Sequence, residues 1–121
     1  MRVMMKLSAI RIPCISIAES ARFYADKLQL RKVFGSESDG VVGFKLGDID
    51  VLLEPQEKGE FEAERYLGFS VEVENIDDFY QQKLALGVCF TGVPEVQSWG
   101  AKMTHIIDPS GNSFSVIECY D

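Results

Sequence analysis

The chain reads as an α+β domain built from two βαβββ modules, and three observations carry that reading. A twelve-residue pattern, Phe23-Tyr24-x-x-Lys27-Leu28-x-Leu30-x-x-x-Phe34, returns 56 residues later as Phe79-Tyr80-x-x-Lys83-Leu84-x-Leu86-x-x-x-Phe90, with six identities in twelve positions. Each copy follows a stretch in which apolar and polar residues alternate, the mark of a strand with one buried face. After each copy come extended segments separated by turn residues.

In chain order, the alternating residues Leu7 to Ile17 form the first strand, and a helix follows from about Ala18 to Leu28 with Tyr24 and Leu28 on one face. Ser16 or a neighbour is its expected cap. Segments Lys32 to Glu37, Val41 to Leu46 and Ile49 to Glu54 complete the module, with Gly47-Asp48 as a hairpin turn. A polar linker, Gln56 to Glu64, leads to the strand Tyr66 to Val73. The second helix starts at Asn75, whose side chain can accept from the amides of the first turn, while Asp77 and Asp78 sit where the helix dipole favours negative charge. Gly87 ends it, because glycine adopts the left-handed closing conformation without penalty. Val88 to Thr91, Ala101 to Ile107 and Ser113 to Cys119 finish the module, the last two joined by the turn Asp108-Pro109-Ser110-Gly111-Asn112. The modules span about 6–55 and 65–120 of one domain, 1–121.

Composition sets the outer bounds. A chain of 121 residues supports one packed core, and 46% apolar with 26% charged residues fits a globular domain rather than a disordered one. No run approaches 18 apolar residues, so no membrane span is expected. Nineteen acidic against twelve basic residues give a net charge of −7, which repels nucleic acid and anionic lipid and attracts cations. Cys14, Cys89 and Cys119 are odd in number and form no CxxC pair, and no apolar signal-peptide core precedes Pro13. A reduced, cytoplasmic protein is therefore expected.

One helix cannot cover a module's sheet on both faces, so the two modules are expected to join their sheets into a concave mixed sheet with a cleft. Alternation sorts the side chains. Leu67, Phe69, Val71 and Val73 belong under the helix, and Tyr66, Gly68, Ser70 and Glu72 face inward. Phe114 and Val116 pack outward, with Ser113 and Ser115 inward. In the first strand Ile10 and Ile12 pack outward, leaving Ala9, Arg11 and Pro13 on the inner face. A lining that mixes small, polar and charged groups suits a binding cleft.

With its paired modules, a Phe-Tyr at each helix, Gln97-Ser98-Trp99-Gly100, and an Asp-Pro-x-Gly-Asn turn before the last strand, the chain resembles the vicinal oxygen chelate superfamily. That family holds glyoxalase, fosfomycin-resistance, extradiol dioxygenase and bleomycin-resistance proteins. The resemblance covers roughly Leu7 to Glu118, and the Gln-x-Trp-Gly element is similar to the bleomycin-resistance branch, whose members sequester ligands as intertwined dimers. The resemblance implies a homodimer here. It also implies metal-ligand positions at Ala9, at Ser115, at Tyr66 or Gly68, and near Leu52. None of these is a good donor, whereas a stable site needs about three nitrogen, oxygen or thiolate donors. Neither a metal nor another cofactor is therefore expected. Glu54, Glu72, Glu118 and His105 are the substitute donors if one is present.

Six residues are candidate ligand contacts: Arg11, Tyr66, Glu72, Trp99, His105 and Ser115. Arg11 and Glu72 either pair with each other or face opposite ends of a polar ligand. His105 is either a hydrogen-bonded strand histidine or a ligand-contacting, acid–base group. Trp99, on a loop next to glycine, supplies a rigid surface for a lid or wall. No catalytic residue is assigned. The leading expectation is metal-free binding or sequestration of a small molecule, cationic or aromatic. The alternatives are a metal-dependent lyase, isomerase or dioxygenase with unusual ligands, and a subunit whose cavity has degenerated and serves only assembly.

Overall fold

The computed structural model describes residues 1–118; Cys119, the last residue of the final expected strand, and the module end near 120 lie outside the described residues. The chain divides into two compact units, with the boundary between Glu62 and Ala63. No helix among the described residues is long and apolar enough to cross a membrane.

In the first unit, Ser16 caps the helix by accepting the Glu19 N–H, and the chain runs β1 (Ala9–Cys14), α1 (Ile17–Arg22) and a π turn (Phe23–Lys27). Then follow β2 (Arg31–Ser36), a 3-10 turn (Glu37–Asp39), β3 (Val41–Leu46) and β4 (Ile49–Pro55). The sheet order is β1-β4-β3-β2, with β1 parallel to β4 and the other pairs antiparallel. The helix makes the crossover that a parallel neighbour requires, and the three later strands need only hairpins. Ile12, Val42, Phe44, Val51 and Leu53 are buried with Phe23 and Tyr24, and the Tyr24 and Phe44 rings lie 6.5 Å apart. Removing such side chains from water is worth roughly 1.5–3 kcal/mol each, which holds α1 to this face.

The second unit runs β5 (Tyr66–Val73), α2 (Ile76–Ala85), β6 (Cys89–Phe90), β7 (Glu95–Val96), β8 (Lys102–Ile107) and β9 (Ser113–Glu118). Its order is β5-β9-β8-β6, with β5 parallel to β9 and β7 on β8. The expected strand 88–91 is reduced to two residues, and β7 is an addition that the alternation pattern did not mark; Gly92 and Pro94 break the stretch between them. Along β5, Leu67, Phe69, Val71 and Val73 are each less exposed than Tyr66, Gly68, Ser70 and Glu72. The Phe69 and Phe114 rings stack at 4.9 Å. The Asp108 side chain accepts from the N–H groups of Ser110 and Asn112, which closes the turn before β9.

The two helices are not superposed by their sequence repeat. The N-caps, Ser16 and Asn75, stand three residues further apart than the Phe-Tyr pairs at 23–24 and 79–80. Counted from the caps, Tyr24 corresponds to Lys83, both buried, and Ala21 corresponds to Tyr80. Helix one also holds one residue more before its C-cap Leu28 than α2 does before Leu86. The π turn takes up that residue through the Leu28 N–H bond to the Phe23 carbonyl, 3.1 Å.

Candidate functional site

The face of the second sheet that α2 leaves uncovered carries a row of polar side chains in register. Ser70 pairs with Ser115 and Ser115 with His105, and the Thr91 N–H donates to the His105 carbonyl at 3.0 Å. A register shift between Tyr66 and Ser70 lets the Tyr66 hydroxyl reach Ser115 Oγ, 2.9 Å away. The same ring meets the His105 imidazole edge-on, with centroids 5.8 Å apart. Ser115 is buried under this pair, while Tyr66 stays 55% exposed and presents its outer surface to solvent. Thr91 Oγ1 approaches His105 Nδ1 only to 3.5 Å, a weak contact.

Beside His105 lies a hollow of about 290 Å³ whose walls include Thr91, Glu95, Gln97, Met103 and Thr104. Thr104 donates to the Gly92 carbonyl and Gln97 to the Glu95 carbonyl, bonds that set the shape of the segment over it. Trp99 stands in the turn joining β7 to β8, where the Gly100 N–H donates to the Gln97 carbonyl, and it is 56% exposed. Tyr66, His105 and Ser115 are thus brought together, and Trp99 belongs to the hairpin that also supplies Glu95 and Gln97. Glu72 is exposed on β5.

Arg11 is paired with an acid of its own unit. Its Nε and Nη2 donate to the two Glu54 oxygens at 2.9 and 2.8 Å, and the guanidinium carbon lies 4.7 Å from the centre of the Phe61 ring. The reason lies in the sheet: Arg11 pairs with Leu52 across the parallel ladder, which sets Glu54 two residues along on the same face. The hydrogen bonds from Arg11 hold the Glu54 carboxyl below the usual carboxylate range, although burial opposes the shift.

The metal-ligand positions implied by the resemblance can now be tested. Counted back from the N-caps, Gly68 corresponds to Ala9, and the residues opposite the next inward positions are Leu52 and Ser115. Ala9, Gly68 and Leu52 carry no side-chain donor, and Ser115 is bonded to Tyr66. Of the substitutes, Glu54 is tied to Arg11, and Glu118 accepts the Ile76 N–H at 3.1 Å. Among the described residues no three His, Cys, Asp or Glu side chains converge. This donor set does not fit a divalent ion.

One residue on the open face of the first sheet was missed. The Phe34 ring lies against the β3 backbone at Gly43, where an added Cβ would stand 2.3 Å from Cε1, yet Phe34 remains 44% exposed. The readable signal was Gly43 itself, since an isolated glycine in a strand often marks a close approach.

Two units of βαβββ type, the second with one short strand more, each with its helix packed on one face of a mixed sheet, define the class of protein. The sequence model of the Glyoxalase/Bleomycin resistance protein/Dioxygenase superfamily matches residues 6–116, and the chain belongs to that superfamily. A crystal structure of a member from Sphaerobacter thermophilus is 28% identical, with TM-score 0.83 over 96% of this chain and 98% of that one. The fold is shared with TnmS3, an antibiotic-binding protein from a Streptomyces species, at 14% identity, TM-score 0.83, and coverage of 99% and 100%. It is shared too with a lactoylglutathione lyase from Agrobacterium tumefaciens, at 18% identity, TM-score 0.78, and coverage of 97% and 96%. No curated protein matches the chain.

Proposed function

We propose that this protein binds a small cationic or aromatic molecule at the Tyr66, His105 and Ser115 row, with Trp99 as a contact from the neighbouring hairpin, and that binding needs no divalent metal. The observation that carries the reading is one of donor chemistry: hydroxyl groups and one imidazole line the open face, and alanine, glycine and leucine occupy positions where a metal would need donors. A half-exposed tyrosine and an exposed tryptophan provide rigid contact area at low entropic cost. The fold shared with an antibiotic-binding protein supports a sequestering role.

A second reading, a metal-dependent lyase, isomerase or dioxygenase, draws on His105 and Glu95 lining one hollow. Two donors are one short of a stable site. The protein is further read as a cytoplasmic homodimer: the exposed apolar surface of Phe34, Tyr66 and Trp99 favours cover by a second chain, and the exposed Cys89 thiol suits a reducing compartment.

A thermal-shift screen of cationic and aromatic compounds tests the leading reading. A true ligand at a hundred times its Kd adds about 2.7 kcal/mol of stability. Trp99→Ala is expected to weaken that ligand by at least about 1 kcal/mol. Retention of near one equivalent of zinc, nickel, manganese or iron through desalting would overturn the metal-free reading in favour of the second. Light scattering on the eluting protein decides the oligomer.

A further inference from the structure

The two units solve one packing problem differently. In the second, Tyr80 from α2 meets Phe90 of the edge strand β6 edge-on, centroids 4.8 Å apart, and fills the space between helix and edge. Counted from the N-cap, the position of Tyr80 is Ala21 in the first unit, and that of Leu84 is Ala25. The position of Phe90, set by its pairing with Ile106, corresponds to Lys32, which pairs with Phe44. Three large side chains are therefore replaced by two methyl groups and a lysine.

The result is a groove of about 270 Å³ between α1 and β2, on the helix side of the first sheet. Ala21, Ala25, Val42 and Phe44 contribute its apolar walls. A single benzene ring occupies roughly 150 Å³ in an apolar protein cavity, so this space takes one ring and a short polar tail. The mouth carries Arg22 and Lys32 together with Asp26 and Glu37, and none of the four is in an ion pair among the described residues. Both signs of charge are thus available to a ligand, and the π turn is what places Ala25 and Asp26 along the groove.

We propose that this groove is a second ligand site, separate from the Tyr66 row, and that it takes a molecule of one aromatic ring bearing both an amine and a carboxylate, such as an aromatic amino acid. The ring takes the place that Tyr80 fills in the second unit. The carboxylate meets Arg22 and Lys32, and the ammonium meets Asp26 and Glu37.

Calorimetric titration of the full chain with L-phenylalanine and L-tyrosine tests this. Saturable binding is expected, at least tenfold weaker for phenethylamine and for phenylpropanoate, each of which lacks one charge. Ala21→Tyr, which restores the residue used in the second unit, should abolish binding while keeping or raising Tm. If that variant fails to fold, Ala25→Leu carries the same expectation. Trp99→Ala and His105→Ala should leave the affinity unchanged, and a loss in either would move the binding to the Tyr66 row and overturn the proposal. Absence of binding at millimolar amino acid, or full affinity in a folded Ala21→Tyr or Ala25→Leu protein, would also overturn it.

Discussion

Glu54 shows how much one carboxylate does in the first unit. Two hydrogen bonds from Arg11 favour its charged form, so its folded-state pKa lies below the ordinary value. As pH falls, the unfolded chain takes up this proton first. The stabilisation is therefore complete above the ordinary glutamate value of about 4.3 and is lost as pH falls through the folded one. Urea denaturation should find Glu54→Gln less stable than the parent near neutral pH, with the gap closing in strong acid. A gap that persists in strong acid would mean that the charge of Glu54 is not its source. Gly35 poses a backbone question instead. Its φ is +82°, and a Cβ there would stand 2.1 Å from the Val41 carbonyl oxygen, whereas Gly40, also left-handed, opens onto free space. Gly35→Ala is expected to cost about 2–4 kcal/mol against about 1 kcal/mol for Gly40→Ala, measured by chemical denaturation. Equal losses would place the penalty in φ alone.

At the scale of elements, the two helices differ in what they bury. Asn75 accepts the Asp78 N–H and Glu118 accepts the Ile76 N–H, so two side chains cap α2. Asn75→Ala should cost about 1 kcal/mol and Asn75→Asp much less, read by thermal or urea melts. Where the π turn after α1 buries Tyr24, α2 buries Lys83, and desolvation pushes that ammonium pKa down. Between the folded value and the ordinary one of about 10.4, the unfolded chain holds more protons, so stability rises with pH through that window. Lys83→Met should flatten the rise in a series of denaturation curves; an unaltered slope would assign it to other groups. The Asn75 cap was legible, and the first helix's cap was narrowed to Ser16 or a neighbour, because capping is local chemistry. The slip of three residues between the repeated Phe-Tyr pairs was not, because the pattern records similar apolar faces and not the point at which each helix begins.

For the whole molecule, the superfamily was open to a reader of the sequence, and the match over residues 6–116 agrees with it; the order of elements was legible except for β7. The candidate site was less legible. Tyr66, His105 and Ser115 meet because a β-register shift brings a tyrosine beside a serine 49 residues away along the chain, and alternation alone carries no such shift. The Arg11–Glu54 pair was not legible for a related reason: the parallel pairing of β1 with β4 decides which acid lies within reach. At this scale the prediction is thermodynamic. An aromatic or cationic ligand of the Tyr66 row should stabilise the protein in a melt and lose affinity in His105→Ala. A ligand unaffected by both His105→Ala and Trp99→Ala binds elsewhere.

The amino-acid sequence by itself determined the two helices and most of the strands, because alternation and helix periodicity belong to single residues and their near neighbours. Only the tertiary structure decided that Arg11 grips Glu54, that Tyr66 covers Ser115, and that a groove opens beside Ala21. Each of those depends on strand register or on the size of a side chain facing another element, and such distances exist only once the chain has folded.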